Sequence, residues 1–269
     1  MIRTISRLQK RLKFGRPITS VALEIIHTRV LDKDVMFCVN MENDPVQRNH
    51  RRGTFYELRE LSALRNIFRK GGTFVDIGAN VGNHTLFAAM FLGAKKVIPI
   101  EPNPRAFNLL VPNVLVNHLT HIVDTAYLGV GLGDANVGGF AMEDRERNLG
   151  GAKMLPGQGD LEVRRGDDLL ADVTPDFLKI DVESMELQVL AGLSGLLERC
   201  NPIMMVEVDN TAEEDFMAWV ADNGYGVVST HQRYRLNKNH VIAPKSRVKT
   251  LQKKLEGTVL GNKTKEAAE

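Results

Sequence analysis

Apolar residues fall along the chain in short runs separated by stretches of helical period. Phe74 to Ile77, Val97 to Ile100, Ile122 to Tyr127, Phe177 to Ile180 and Ile203 to Val208 have the length of strands buried on both faces. Thr85 to Leu92, Arg105 to Asn117, Glu186 to Arg199 and Thr211 to Asn223 follow them with the spacing of amphipathic helices. In the third of these, Leu187, Leu190, Leu193 and Leu197 form the apolar stripe. Thr211, with Glu214 three residues on, reads as a capping box. Tyr225 to Thr230 and His240 to Ala243 end the series as an antiparallel pair. Repeated strand–helix alternation predicts an α/β fold: about seven strands in a mostly parallel, doubly wound sheet with an antiparallel edge strand.

Ahead of this core, Ser20 to Val30 and Asp34 to Val39 alternate as strands around Leu31-Asp32-Lys33, which predicts a hairpin. Asn40 to Arg52 is polar and broken by Asn43-Asp44-Pro45, so it is read as irregular and as a candidate lid. Phe55 to Phe68 reads as a helix that Gly71-Gly72 ends. Gly131-Leu132-Gly133-Asp134 reads as a turn. Residues 138–163 are weakly patterned, rich in glycine and charge, and read as two short strands. A long insert of this kind in an α/β domain is more often functional than idle. The expected organisation is a segment 1–19, one domain over 20–244 and a polar Lys-rich tail over 245–269. Within the domain, 20–54 holds the hairpin and lid, and 55–230 the cofactor-binding core.

Composition changes this picture little. A chain of 269 residues, 43% hydrophobic and 25% charged, suits one large globular domain. A net charge of +2 is too weak to indicate nucleic acid. Cys38 and Cys200 lie in no pair motif, which argues against a disulfide framework or a zinc site and favours the cytoplasm. No run of 18 apolar residues is present. The charge is uneven, however. Arg3, Arg7, Lys10, Arg11, Lys13 and Arg16 occur without an acid, with Ile2, Ile5, Leu8 and Leu12 at helical spacing. Two readings stand: a basic amphipathic helix lying peripherally on an anionic inner membrane surface, or a solvated helix docked on its own domain.

The candidate chemistry sits at strand ends. Phe74-Val75-Asp76-Ile77-Gly78-Ala79-Asn80-Val81-Gly82 is a strand, a glycine turn and the start of a helix, the unit that cradles nucleotides. It lacks G-x-G-x-x-G, and Asp76 repels a pyrophosphate but can accept from an α-ammonium. That favours S-adenosyl-L-methionine over a nicotinamide dinucleotide. Glu101 ends the next strand 25 residues on, near the roughly 20-residue step expected of a ribose-binding carboxylate. Asp181 and Glu183 follow the strand Phe177 to Ile180, and Glu207 lies near the end of the next. Acids converging there suit proton abstraction from a hydroxyl, hydrogen bonding to a sugar or a divalent cation, so metal use stays open. The plainer alternative, surface acids and helix N-terminal charges, is strongest for Glu186. His84, one turn into the cofactor helix, is more often a packing residue.

Together, Asp76-Ile77-Gly78-Ala79-Asn80-Val81-Gly82, Glu101-Pro102-Asn103-Pro104, Gly131-Leu132-Gly133-Asp134, Asn148-Leu149-Gly150-Gly151 and Lys179-Ile180-Asp181-Val182-Glu183 resemble, in order, the motifs of the FkbM family of S-adenosylmethionine-dependent methyltransferases. The resemblance covers roughly residues 56–208. It implies the class I methyltransferase (Rossmann-like) fold and methyl transfer to a hydroxyl of a sugar, glycan or secondary metabolite. It also implies that Asp76, Gly78, Asn80, Gly82, Glu101 and Asn103 bind cofactor and that Asp181 and Glu183 serve catalysis. Glu57, Asn148, Asp167, Asp168 and Glu207 take secondary or substrate roles by the same resemblance. Ser184 stands where the family has Gly, and a positive φ there would strain the loop that carries Glu183. Two other classes compete: a dinucleotide-binding oxidoreductase, and a noncatalytic module held at a membrane or anionic glycan by its basic N-terminus.

Overall fold

The structure is a computed structural model and describes residues 23–232 and 235–261. The basic segment 1–16 therefore lies outside the described residues, as does the end of the tail. The chain opens with the expected hairpin, β1 (Glu24–Val30) and β2 (Lys33–Val39), paired antiparallel. Leu31 and Asp32 take φ of 45° and 68° in its tight turn.

The main sheet has six strands in the order β11-β12-β10-β9-β3-β4. They are β3 (Thr73–Ile77), β4 (Lys96–Ile100), β9 (Phe177–Ile180), β10 (Ile203–Asp209), β11 (Tyr225–His231) and β12 (Asn237–Pro244). The first four run parallel, and β12 runs antiparallel to both β10 and β11. Two expectations are corrected here. Among the described residues the sheet has six strands, not seven, and the reversed strand lies inside the edge. The missing strand is Ile122 to Tyr127. Asp124 caps a 3₁₀ turn there, accepting from Ala126 N, and only the isolated bridges Val97–Val123 and Glu101–Leu128 remain of the pairing.

A second sheet, β5-β8-β6-β7, is built from β5 (Val130–Gly133), β6 (Val137–Met142), β7 (Met154–Pro156) and β8 (Leu161–Arg165). Gly131 to Gly133 is thus a strand rather than a turn, paired parallel to β8. The weakly patterned insert supplies the other three strands.

Period-two alternation gives the main sheet two buried faces. Phe74, Phe177, Ile203, Met205 and Val241 face one core, while Val75, Ile77, Leu178, Ile180 and Met204 face the other. On the first face pack the hairpin, α2 (Leu58–Leu64), α3 (Asn83–Phe91) and α4 (Pro104–Val116). Phe74 and Phe177 stack there at 5.1 Å, each contributing about 1.5–3 kcal/mol by burial. On the second pack α5 (Gly166–Leu169), α6 (Glu186–Gly192), α7 (Ser194–Cys200) and α8 (Glu213–Asp222). The expected single helix from Glu186 to Arg199 breaks at Leu193. Gly192 presses so closely on β5 that a Cβ would lie 1.9 Å from the Gly133 carbonyl oxygen.

Two local expectations fail for identifiable reasons. Residues 40–52 are ordered around α1 (Pro45–Arg51), where Asp44 accepts from Gln47 N and Pro45 occupies the first turn. The Gln47 side-chain oxygen Oε1 accepts from Asn40 N and Met41 N, and His50 stacks on Phe37 at 4.2 Å. The segment is thereby held against β2. Thr211 does not cap α8: its hydroxyl donates to Asp209 Oδ1, and Ala212 takes the cap position without a side-chain bond. The segment from Lys245 includes α9 (Val248–Leu255), which buries Leu251 and Leu255 against the main core.

Candidate active site

Beyond the C-terminal ends of β3, β4 and β9 lies an open cleft. Gly78, Asn80 and Glu101 line one part of it, and Asp181 and Glu183 another. The two parts meet because the turn after β3 closes on the turn after β9. Gly78 has φ of 77°, and a Cβ there would lie 1.7 Å from the Asp181 carbonyl oxygen. Only glycine fits that approach. Asn80 follows in the left-handed region, at φ 51°. Its side-chain oxygen is buried without a hydrogen-bond partner.

Glu101 is buried, with each oxygen taking one backbone N–H: Oε2 from Asn80 at 2.7 Å and Oε1 from Asn103 at 2.8 Å. Burial pushes its carboxyl up to about 7 despite these bonds. Each oxygen keeps a lone pair for a ligand hydroxyl. Asn103 caps α4, its side chain accepting from Arg105 N at 3.0 Å. Gly82, at φ 91°, is the N-cap of α3.

Asp76 is fully buried behind the cleft, where Thr85 Oγ1 donates to its Oδ2 at 2.6 Å and Oδ1 has no partner. Burial raises its pKa, with Lys179 opposing. Lys179 is the residue that motif reading passed over. It stands beside Asp76 in the β3–β9 register, and its ammonium donates to Asp181 Oδ2 at 2.8 Å and to the Gly78 carbonyl at 3.4 Å. Burial works against its charge, but Asp181, Asp76 and Glu207 outweigh burial and raise its pKa. The available signal was a lysine inside a strand buried on both faces, which demands counter-charges.

Alternation explains the grouping: Asp76, Lys179, Asp181 and Glu207 share the strand parity that faces the first core. Glu207 accepts from Asn237 Nδ2, and burial, reinforced by Asp181 and Glu57, raises it to about 9. Glu57 is buried at the start of α2 with φ 57°, close enough for its charge to act on Glu207. Glu183 is raised to about 7, first by burial and then by Asp181 and Glu186, with Arg145 and Lys153 opposing. Ser184 takes φ of 78°, the positive value that its place in the motif foreshadowed, directly after Glu183 at 52°. The Glu186 carboxylate accepts from Ser184 N at 3.0 Å.

The insert reaches the cleft through Met142, Leu149, Gly150 and Met154. Asp44 anchors it from the other side of the sequence, its second oxygen accepting from Leu149 N at 2.9 Å. Asn148 accepts from Gly151 N at 3.2 Å and so shapes the loop rather than lining the cleft. Asp167 and Asp168 are engaged elsewhere. Asp167 accepts from Gly195 N and Leu196 N and so caps α7, while Asp168 accepts from Asn136 Nδ2. His84 is buried with Nε2 unpartnered, and burial lowers its pKa well below the usual value. Among the described residues no group of three or more His, Cys, Asp or Glu is placed to hold a metal ion.

The family model of the methyltransferase FkbM domain matches residues 76–236. A hexuronic acid methyltransferase of Haloferax volcanii, AglP, is 28% identical over 165 residues, covering 57% of this chain and 65% of that relative. Among solved structures, a methyltransferase FkbM from Methylobacillus flagellatus KT aligns at a TM-score of 0.49 and 21% identity, over 65% of this chain and 44% of that one. TYW2 of M. jannaschii, solved in complex with AdoMet, aligns at 0.45 and 14% identity, over 84% and 88%. The chain thus spans just under two thirds of the curated relative and less than half of the Methylobacillus protein.

Proposed function

This chain belongs to the FkbM methyltransferase family, and from that premise we propose that it transfers the methyl group of S-adenosyl-L-methionine to a hydroxyl of a sugar or glycan. The observation that carries the reading is the cleft itself, in which Glu101 and the pair Asp181 and Glu183 lie on one continuous lining. Family membership favours this reading over the dinucleotide oxidoreductase and the noncatalytic module. The sugar acceptor is supported by the name of the Haloferax relative, a hexuronic acid methyltransferase.

The residues present fit the cofactor. The Glu101 carboxylate has spare lone pairs for ribose hydroxyls, and Asn80 offers a buried, unpartnered oxygen beside it. When bound, S-adenosyl-L-methionine supplies a methyl group already activated by its sulfonium. The protein's share is then to place the acceptor hydroxyl and receive its proton. Asp181 is the first candidate base: Lys179 holds Oδ2, and Oδ1 makes no hydrogen bond among the described residues. Glu183 is the second. Alignment of the reactants contributes about 7–11 kcal/mol, and a positioned base about 10²–10⁴-fold. Asp76 acts from behind, sharing Lys179 with Asp181.

Calorimetric titration with S-adenosylhomocysteine, beside Glu101→Ala, tests the cofactor half. Losing hydrogen bonds to a charged acceptor costs about 1.5–3 kcal/mol, so binding weakens roughly 10- to 150-fold. Equal affinity in the two proteins, or no binding to the wild type, overturns the assignment. Among the described residues no helix is long and apolar enough to cross a membrane. Peripheral contact of residues 1–16 with an anionic membrane, at its cytoplasmic side, is a separate proposal that rests on sequence alone.

A further inference from the structure

We propose that the acceptor carries a carboxylate beside the hydroxyl that is methylated, and that Lys153 and Arg145 of the insert hold it. The inference rests on the reading of the cleft as the methyl-transfer site and names its substrate more closely. Ala152 and Met154 line the cleft, and the side chain of Lys153, between them, reaches Ser184, the neighbour of the lining residue Glu183. The Lys153 ammonium donates to a neutral partner, Ser184 Oγ, at 3.1 Å, and makes no ion pair among the described residues. Arg145 bonds Glu143 through Nε at 2.8 Å and keeps 39% of its side chain exposed. Its Nη1 reaches over Gly151, 2.9 Å from where a Cβ there would sit.

The two cations are neighbours by construction. Glu143 N donates to the Lys153 carbonyl at 2.8 Å, and Lys153 N donates to Glu143 Oε2 at 3.3 Å. Glu143 therefore ties both to one end of the β6–β7 arm. Both charges act on Glu183, yet burial outweighs them there, and a carboxyl raised to about 7 is a weak counter-ion at neutral pH. Glu143 pairs directly with Arg145, while Lys153 acts on Glu143 and on the exposed Asp209 through its charge alone and pairs with neither. An ammonium held by a hydroxyl next to a lining residue of the cleft is well placed for a ligand anion.

Ser184 gains a purpose in this arrangement. In place of the glycine of the motif, it adds a hydroxyl that aims Lys153 at the residues next to Glu183. Ser184 is thus a positioning residue for Lys153. A uronate fits such a pair of sites, because its carboxyl-bearing ring carbon adjoins a hydroxyl-bearing one. The carboxylate would meet Lys153 and Arg145, and the hydroxyl would meet Asp181 and Glu183. A phosphorylated sugar presents an anion farther from the ring.

The test uses the full chain saturated with S-adenosylhomocysteine and three probes: p-nitrophenyl β-glucuronide, p-nitrophenyl β-glucoside and glucose 6-phosphate. Dissociation constants are read by saturation-transfer NMR for wild type, Lys153→Ala, Arg145→Ala and Ser184→Ala. The expected result is a glucuronide preference over the glucoside of at least about tenfold. Lys153→Ala and Arg145→Ala should remove most of it, and Ser184→Ala part of it, with S-adenosylhomocysteine affinity unchanged in each. Normal S-adenosylhomocysteine binding with glucuronide and glucoside bound alike overturns the inference but leaves the cofactor reading intact. So does a preference that survives both alanine variants. Tighter binding of glucose 6-phosphate overturns the carboxylate in favour of a phosphate. Failure of wild type to bind S-adenosylhomocysteine removes the ground of both readings.

Discussion

Ser184 offers a measurement in which backbone strain can be separated from side-chain bonding. Its φ of 78°, next to Glu183 at 52°, puts two consecutive non-glycine residues in the left-handed region. Each such residue costs about 1–2 kcal/mol. Ser184→Gly relieves that cost at one position, but it also frees the unfolded chain by about 0.4–1 kcal/mol. It loses the Lys153 bond too, an exposed contact of roughly 0.5 kcal/mol. Ser184→Ala loses the same bond and keeps the strain. The difference between the two variants therefore cancels the bond and isolates the backbone. Ser184→Gly should exceed Ser184→Ala in stability by about 0.5–1 kcal/mol. That corresponds to a shift of roughly 0.3–0.5 M in the urea midpoint, or about 2–3 °C in Tm. Reversible urea unfolding followed by circular dichroism reads the difference. An alanine variant as stable as the glycine variant would refute the reasoning, because it would mean that position 184 carries no left-handed strain.

Other consequences follow from burial and packing. Burial raises Glu101 from 4.5 to about 7, so across that interval the folded protein keeps a proton that the unfolded chain has released. Its stabilising contribution is full below about pH 4.5 and is lost as pH rises through about 7. Urea midpoints of Glu101→Gln should accordingly fall less steeply over that range than those of wild type; parallel profiles would contradict the assignment. Ribose hydroxyls donate to the ionised carboxylate, so S-adenosylhomocysteine affinity should rise from pH 6 to 8 in wild type and stay flat in Glu101→Gln. Gly78→Ala places a methyl 1.7 Å from the Asp181 carbonyl oxygen, at a φ of 77°. It should cost upwards of about 3 kcal/mol and abolish cofactor binding, and a variant that folds and binds normally would show that the two turns do not meet. Asp167→Ala removes the cap of α7 and should lower stability by about 1 kcal/mol without changing S-adenosylhomocysteine affinity. A loss of binding there would return Asp167 to the site.

What the sequence by itself determined was the parallel core and its glycine turn, since both are local. Buried parallel strands are uninterrupted apolar runs, and the turn from Asp76 to Gly82 needs glycine where φ is positive. The hairpin was equally legible, because its register follows from alternation about Leu31-Asp32-Lys33. Tertiary structure decided the rest. Whether Ile122 to Tyr127 pairs as a strand depends on its neighbours, and here only two bridges form. The insert has no period of its own because its strands complete a sheet begun by β5, through contacts distant in sequence. Asp167 reads like a site acid from its motif, but the helix that it caps lies 28 residues on and is invisible to local pattern. Lys179 shows the limit most plainly. In sequence it is one lysine in an apolar run, and its role exists only because three strands bring Asp76, Asp181 and Glu207 around it. Burial makes that arrangement compulsory: an ammonium removed from water must be matched by carboxylates, and parallel strands in register supply them on one face.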